Sequence, residues 1–149
     1  MSEFDTSKYI VTELKEPDSK KRIEAEYATF AKRILWLDDS VVEGAFHMNT
    51  AWYLKAADTL ESSPHVHDSD EIIGFFGSDP DHPYDLGGEV EIWLDGEKHV
   101  IDRTAMIFVP AGMAHCPLVL KRVDRPIFHF TTVTGGRYLK DEGSGLAEG

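Results

Sequence analysis

The chain has 149 residues, 42% hydrophobic and 28% charged, and 27 acids against 15 Lys and Arg give a formal charge of −12. That length buries the core of one ordinary domain without staples, and the composition is globular rather than disordered or fibrous. A surface so negative repels phosphate backbones and anionic headgroups, which argues against nucleic-acid and membrane-surface roles.

Met1-Ser2-Glu3-Phe4-Asp5 opens the chain without the basic start or apolar stretch of a secretory signal. No later run approaches the roughly 20 apolar residues of a membrane span. The pattern predicts a strand over Tyr9–Leu14 and a polar turn at Glu16-Pro17-Asp18-Ser19. Ile23, Tyr27 and Phe30, with Ile34 continuing the row, recur at helical spacing and predict a short amphipathic helix over Lys20–Lys32. Runs rich in β-branched and aromatic residues follow, separated by Gly, Pro and Asp. They predict strands near Arg33–Leu37, Ala45–Lys55, His65–Phe76, Glu89–Leu94, Lys98–Ile101, Ala105–Pro110, Cys116–Leu120 and Ile127–Thr134. Asp95-Gly96 signals a tight hairpin, and Gly77–Gly88 reads as a loop without regular structure. So many short strands with little helix predict an all-β sandwich or small barrel. One cysteine, Cys116, allows no intrachain disulfide, so the expected home is a reducing compartment, most simply the cytoplasm.

Pro64-His65-Val66-His67-Asp68-Ser69-Asp70-Glu71 carries most of the chemistry. On one extended strand, residues two apart share a face, so His65, His67 and Glu71 would converge there. Two imidazoles and a carboxylate suit one divalent transition metal (Fe, Mn, Ni, Co, Cu or Zn) better than Ca or Mg. A solvent-facing, His-rich strand edge is the bland alternative, and the apolar Ile73 and Phe75 at the same parity argue against it. Further on, Pro110-Ala111-Gly112-Met113-Ala114-His115 places a histidine after a tight turn that closes the strand Met106–Val109.

Together these two elements resemble the cupin family. Its first motif has Gly, five residues, His-x-His, three or four residues, Glu, six residues and Gly; His65, His67 and Glu71 fit. Its second has Gly, five residues, Pro-x-Gly, two residues, His, three residues and Asn; Pro110, Gly112 and His115 fit. Thr59 and Thr104 replace the leading glycines, Gly77 falls one position early, and Val119 replaces the closing Asn. The resemblance spans roughly Ala45 to Thr132. It implies a double-stranded β-helix (jelly-roll) barrel with a metal held by His65, His67, Glu71 and His115. Residues 1–40 would form an N-terminal extension of strand and short helix, 41–139 the barrel, and 140–149 a flexible tail.

Other residues divide by strand face. If Ile127, His129 and Thr131 face inward, His129 can serve as a general acid or base; the bulk of Phe128 and Phe130 argues for the opposite facing. Asn49, Tyr53 and His47 share one face of Ala45–Lys55; Phe46, Met48, Trp52 and Leu54 share the other, and an apolar face most often packs in a core. Asn49, Tyr53 and Phe75 are candidate substrate contacts, and Trp93 is expected at the outer face or a subunit interface. Cys116 should point away from His115 as a buried, inert thiol. The Asp79, Asp81, His82 and Asp85 cluster reads as acidic turn residues.

The resemblance implies a metal-dependent enzyme acting on a small-molecule substrate, with dioxygenase chemistry first. Isomerase, lyase or decarboxylase chemistry is the alternative, as is a non-catalytic ligand-binding cupin. A homodimer is expected, through the N-terminal segment or the Trp93 face.

Overall fold

The computed structural model describes residues 4–15, 26–61 and 63–134. Nine strands follow a short 3-10 turn at Thr6–Tyr9: β1 (Ala31–Leu37), β2 (His47–Tyr53), β3 (Ala57–Glu61), β4 (Glu71–Phe76), β5 (Asp85–Leu94), β6 (Glu97–Arg103), β7 (Ala105–Val109), β8 (His115–Val123) and β9 (Ile127–Val133). They form two antiparallel sheets, of order β1-β2-β9-β4-β7 and β3-β8-β5-β6. The non-sequential orders, such as β9 lying between β2 and β4, are those of a jelly-roll barrel.

Several elements differ from the sequence reading. Tyr9–Leu14 is not a strand; Thr6–Tyr9 is the 3-10 turn and the following residues have no ladder partner. Glu26 and Tyr27 are helical, but Ala31 and Lys32 already belong to β1, pairing with Tyr53 and Trp52. The helical row thus ends before Lys32, because the β2 edge satisfies those backbone groups, and 16–25 lies outside the described residues, as does 140–149. β3 was missed, and Asp85–Gly88 is strand rather than loop, with Gly88 opposite Val123 on β8.

The hydrophobic interior is closed mainly by the four-stranded sheet. Leu86, Val90 and Ile92 on β5 and Leu118 and Leu120 on β8 are all buried and pack with Ile73, Phe75 and Ile127 of the other sheet. The alternation of β5, Val90 and Ile92 in against Glu89, Glu91 and Trp93 half-buried, matches the expected outward setting of Trp93.

The five-stranded sheet reverses the expected facing. His47, Asn49, Ala51 and Tyr53 point in, while Phe46, Met48 and Leu54 are exposed and Trp52 is half-buried. On β9, Ile127, His129 and Thr131 are buried, and Phe128 and Phe130 lie on the outer face. Aromatic bulk was a poor guide because these rings pack on one another outside: Trp52 meets Phe128 edge-on at 5.5 Å between centroids. Phe130 also covers Gly74, whose missing Cβ leaves the only room for that ring.

Candidate metal centre

The residues of 65–71 do not form one strand. Only Glu71 belongs to β4, and His65 makes an isolated bridge to His115. That bridge is reciprocal: His65 N–H donates to His115 O and His115 N–H to His65 O, both at 3.0 Å. Gly112 N–H donates to His67 O at 3.0 Å, and Ala111 N–H to the Asp70 carboxylate at 2.8 Å. The loop is therefore tied to the turn rather than to a strand neighbour. The turn is set by Pro110, whose carbonyl accepts from Met113 N–H, and by Gly112 at φ 86, a backbone that side chains rarely adopt. Asp70, which the sequence reading passed over, acts as the clamp between them. Its main-chain carbonyl also accepts from Thr134 N–H at 3.2 Å, fastening the end of β9.

His115 and Cys116 are both buried, although neighbours on a strand should face opposite ways. Cys116 sits at φ 79, and four residues of β8 (His115 to Leu118) span three of β5 (Leu94 to Ile92). This irregularity turns His115 into the barrel along with Leu118. Cys116 packs in the apolar core.

The result is convergence. One ring nitrogen each from His65, His67 and His115 lies within 4.8 Å of the others, a group able to hold a metal ion. Glu71 Oε1 stands 3.0 Å from His115 Nε2 and 3.5 Å from His67 Nε2, and the Glu71 side chain is fully buried. The backbone carbonyls of Ser63 and Met113, each 3.4 Å away, accept from Nδ1 of His65 and His115. Those contacts place the ring protons on Nδ1 and leave Nε2 as the ligating atom. Three imidazole nitrogens and one carboxylate form a donor set suited to a divalent transition metal, so the residues fit the group that the motif implies.

Polar side chains surround this cluster on the inner face of the five-stranded sheet. Pairing places His47, Val133, Glu71 and Val109 in one row, Asn49, Thr131, Ile73 and Ile107 in the next, and Ala51, His129, Phe75 and Ala105 in a third. His129 is fully buried, stacked against Tyr53 at 4.7 Å and Phe75 at 5.1 Å. Its Nδ1 donates to Gly74 O at 3.0 Å, so Nε2 is the basic atom, with the Thr131 hydroxyl 3.4 Å from it. Tyr53, Asn49 and Phe75, the candidate contacts, all line this interior. The loop cluster stays at the surface, where His82 Nδ1 meets Asp79 at 3.0 Å and Arg125 meets Asp85 at 2.9 Å.

Directly after β1, Asp38 is buried. Burial alone would raise its carboxyl, but hydrogen bonds from Ser40 and Trp36 outweigh it and hold the group below its ordinary value of 3.8. Ser40 N–H donates to Oδ1 at 2.8 Å and Trp36 Nε1–H to Oδ2 at 2.9 Å.

Solved structures share this architecture. An oxalate oxidase studied for its mechanism aligns with a TM-score of 0.53 and 15% identity, covering 91% of this chain and 64% of that one. A recombinant oxalate oxidase in complex with glycolate gives 0.51 and 14%, covering 87% and 61%. An RmlC-like cupin from Shewanella frigidimarina gives 0.40 and 19%, covering 60% and 67%. The fold is that of the cupins. No protein-family model and no curated relative matches the sequence. No helix among the described residues is long and apolar enough to cross a membrane.

Proposed function

We propose that the protein is a metal-dependent cupin enzyme acting on a small organic molecule, with His65, His67, Glu71 and His115 holding the metal. The observation that carries this reading is the convergence of one ring nitrogen each from His65, His67 and His115 within 4.8 Å of one another, their Nε2 atoms buried and Glu71 Oε1 3.0 Å from that of His115. When bound, a divalent metal would supply an open coordination position and, if redox-active, a route to dioxygen chemistry. The chain's own part is to orient and to move protons. His129, its Nδ1 proton fixed on Gly74 O, offers Nε2 as a general base on the same inner face. Tyr53 and Phe75 clamp that ring and with Asn49 form the wall against which a substrate would lie. A polar interior containing a positioned base favours an enzyme over a passive binding module. Among enzymes we favour a dioxygenase, because the three-His, one-Glu set resembles that of many cupin dioxygenases.

Elemental analysis by inductively coupled plasma mass spectrometry tests the centre. About one Fe, Mn, Ni, Co, Cu or Zn per chain is expected in the wild type, and loss of it in His67→Ala and in Glu71→Ala. A wild type that neither carries nor takes up a divalent ion would sink the proposal. Iron or copper directs the next step to oxygen-uptake screens, and zinc or nickel to anaerobic isomerase and lyase assays.

A further inference from the structure

The proposed ligands stand on separate pieces of backbone. His65 and His67 lie in the loop before β4, Glu71 opens β4, and His115 opens β8 after the 110–113 turn. Ligands carried by a loop and a distant turn keep their spacing only if loop and turn are fastened to each other. Three backbone hydrogen bonds contribute, the reciprocal pair between His65 and His115 and the one from Gly112 N–H to His67 O, each at 3.0 Å. A fourth runs from Ala111 N–H to Asp70 Oδ1 at 2.8 Å. It is the shortest of the four, and the one that a side chain makes.

Each end of the Asp70 bond leads to a ligand. On the turn side, Met113 N–H donates to Pro110 O at 3.1 Å, and Met113 O accepts from His115 Nδ1 at 3.4 Å. The turn that Asp70 holds therefore also aims the His115 ring. On the loop side, Asp70 directly precedes Glu71, whose Oε1 stands 3.0 Å from His115 Nε2 and 3.5 Å from His67 Nε2. Asp70 is itself exposed, so it fills no core volume; what it contributes is position. A carboxylate suits that task, because an ionised acceptor bonds a backbone N–H more strongly than a neutral one.

We infer that Asp70 is a positioning residue of the metal centre. Its carboxylate is used on Ala111 N–H, and through that bond it holds the His65–His67 loop and the His115 turn at the separation a divalent ion needs. The inference rests on the metal reading above. Cutting the bond then weakens metal binding although every proposed ligand remains, and it can be cut from either side. Asp70→Ala removes the acceptor. Ala111→Pro removes the donor and suits the turn: a Met113-to-Pro110 bond with Gly112 at φ 86 is the pattern of a type II turn, whose second position, held by Ala111, favours proline. Asp70→Asn keeps an oxygen acceptor without the charge. Asp68→Ala takes a charge from the same loop and leaves the bond intact.

Calorimetric titration of the metal-free full chain with Ni2+ tests it, with circular dichroism on the same samples. Asp70→Ala and Ala111→Pro each weaken Ni2+ binding by about tenfold or more, the effect of removing an outer partner of a metal ligand. The double variant is weakened no further, since both changes cut one bond. Asp70→Asn and Asp68→Ala bind within about threefold of the wild type, the scale of an exposed charge. Wild-type affinity in folded Asp70→Ala or Ala111→Pro overturns the inference. An equal loss in Asp70→Asn and Asp68→Ala overturns it too, because charge rather than position would then be the cause. Should Asp70→Ala unfold, Ala111→Pro carries the comparison; loss of the fold in both overturns the inference, since the bond would then serve stability rather than the metal. A wild type that takes up no Ni2+ removes the metal reading and this inference with it. A wild type that binds Ni2+ no better than the folded variants removes this inference alone.

Discussion

The two sheets face one barrel interior and do different work in it. The four-stranded sheet sends in Leu86, Val90, Ile92, Leu118 and Leu120, all at most 1% exposed, and His115 is the one buried polar side chain it adds among the described residues. The five-stranded sheet sends in Arg33, His47, Asn49, Glu71, His129 and Thr131. The first wall is almost wholly apolar, while the second adds hydrogen bonds and charge to apolar residues of its own, Ile73, Phe75 and Ile127 among them. Burial is non-directional and grows with area, so the first wall tolerates change of shape better than loss of volume. Buried polar groups are costly unless each finds its partner, so the second wall depends on particular atoms.

Truncating the apolar wall gives the largest effect on folding. Leu118→Ala removes a fully buried side chain from the centre of the core cluster. It should cost about 2–5 kcal/mol in urea unfolding, the range for large-to-small core changes. Such a variant, purified in the cold, should retain the wild-type metal content, because Leu118 is not among the proposed ligands. A Leu118→Ala chain that loses metal while still folded would break the division of labour between the walls.

That division explains what could be read from the sequence. The convergence of His65, His67 and His115, with Glu71 beside two of them, was legible because motif spacing survives differences in backbone path. The strand-parity argument for His65, His67 and Glu71 assumed one continuous strand, whereas 65–70 is a loop held by the 110–113 turn. The facing of β2 and β9 was not legible by hydrophobicity, since that criterion assumes an apolar inside. Here the polar parity points in and the rings of Trp52, Phe128 and Phe130 cover the outside. Arg33 went unremarked because a lone Arg in a short strand has no spacing to mark it. Only β-pairing brings it beside Asn49, 16 residues away. Asp70 was hidden for the same reason, its partner Ala111 lying 41 residues along the chain.

A smaller effect sharpens the contrast at the rim of the polar wall. The Asp38 carboxyl is depressed in the folded chain, so it binds protons less readily there than when unfolded. A group shifted this way contributes stability above its ordinary value of 3.8, and the contribution is lost as pH falls through the folded value. Asp38→Asn keeps an oxygen for Trp36 Nε1 but cannot carry the charge that accepts from both Trp36 and Ser40. At pH 7 the variant should be about 1–2 kcal/mol less stable, the difference between charged and neutral hydrogen bonds. Urea titrations from pH 7 to pH 3 should show the gap closing on the acid side. A gap independent of pH would assign the loss to packing instead.

The smallest folding effect is expected outside the polar wall, where the five-stranded sheet shows water an apolar face. Pairing lines up Met48, Thr132, Ile72 and Phe108 in one row and Thr50, Phe130, Gly74 and Met106 in the next, with Trp52, Phe128 and Phe76 beyond. Met106 is 68% and Phe108 58% exposed, and none of these side chains is charged. Contiguous apolar faces of this kind mark association surfaces. In a chain of net charge −12, a face whose rows hold no acidic side chain and one cation, Lys32 opposite Trp52, is also where two copies approach with least repulsion. We expect a homodimer through this face rather than through Trp93, which lies half-buried with Lys98 Nζ 5.8 Å from its ring. Light scattering behind size-exclusion should then report twice 16.7 kDa, more completely at higher salt as repulsion is screened. Phe108→Lys should shift the mass toward 16.7 kDa while changing unfolding free energy by less than about 0.5 kcal/mol beyond the lost association. A wild type that runs at 16.7 kDa at all salt concentrations would leave the apolar face to some other use. Phe108→Lys dimers as firm as the wild type would move the interface elsewhere on the barrel.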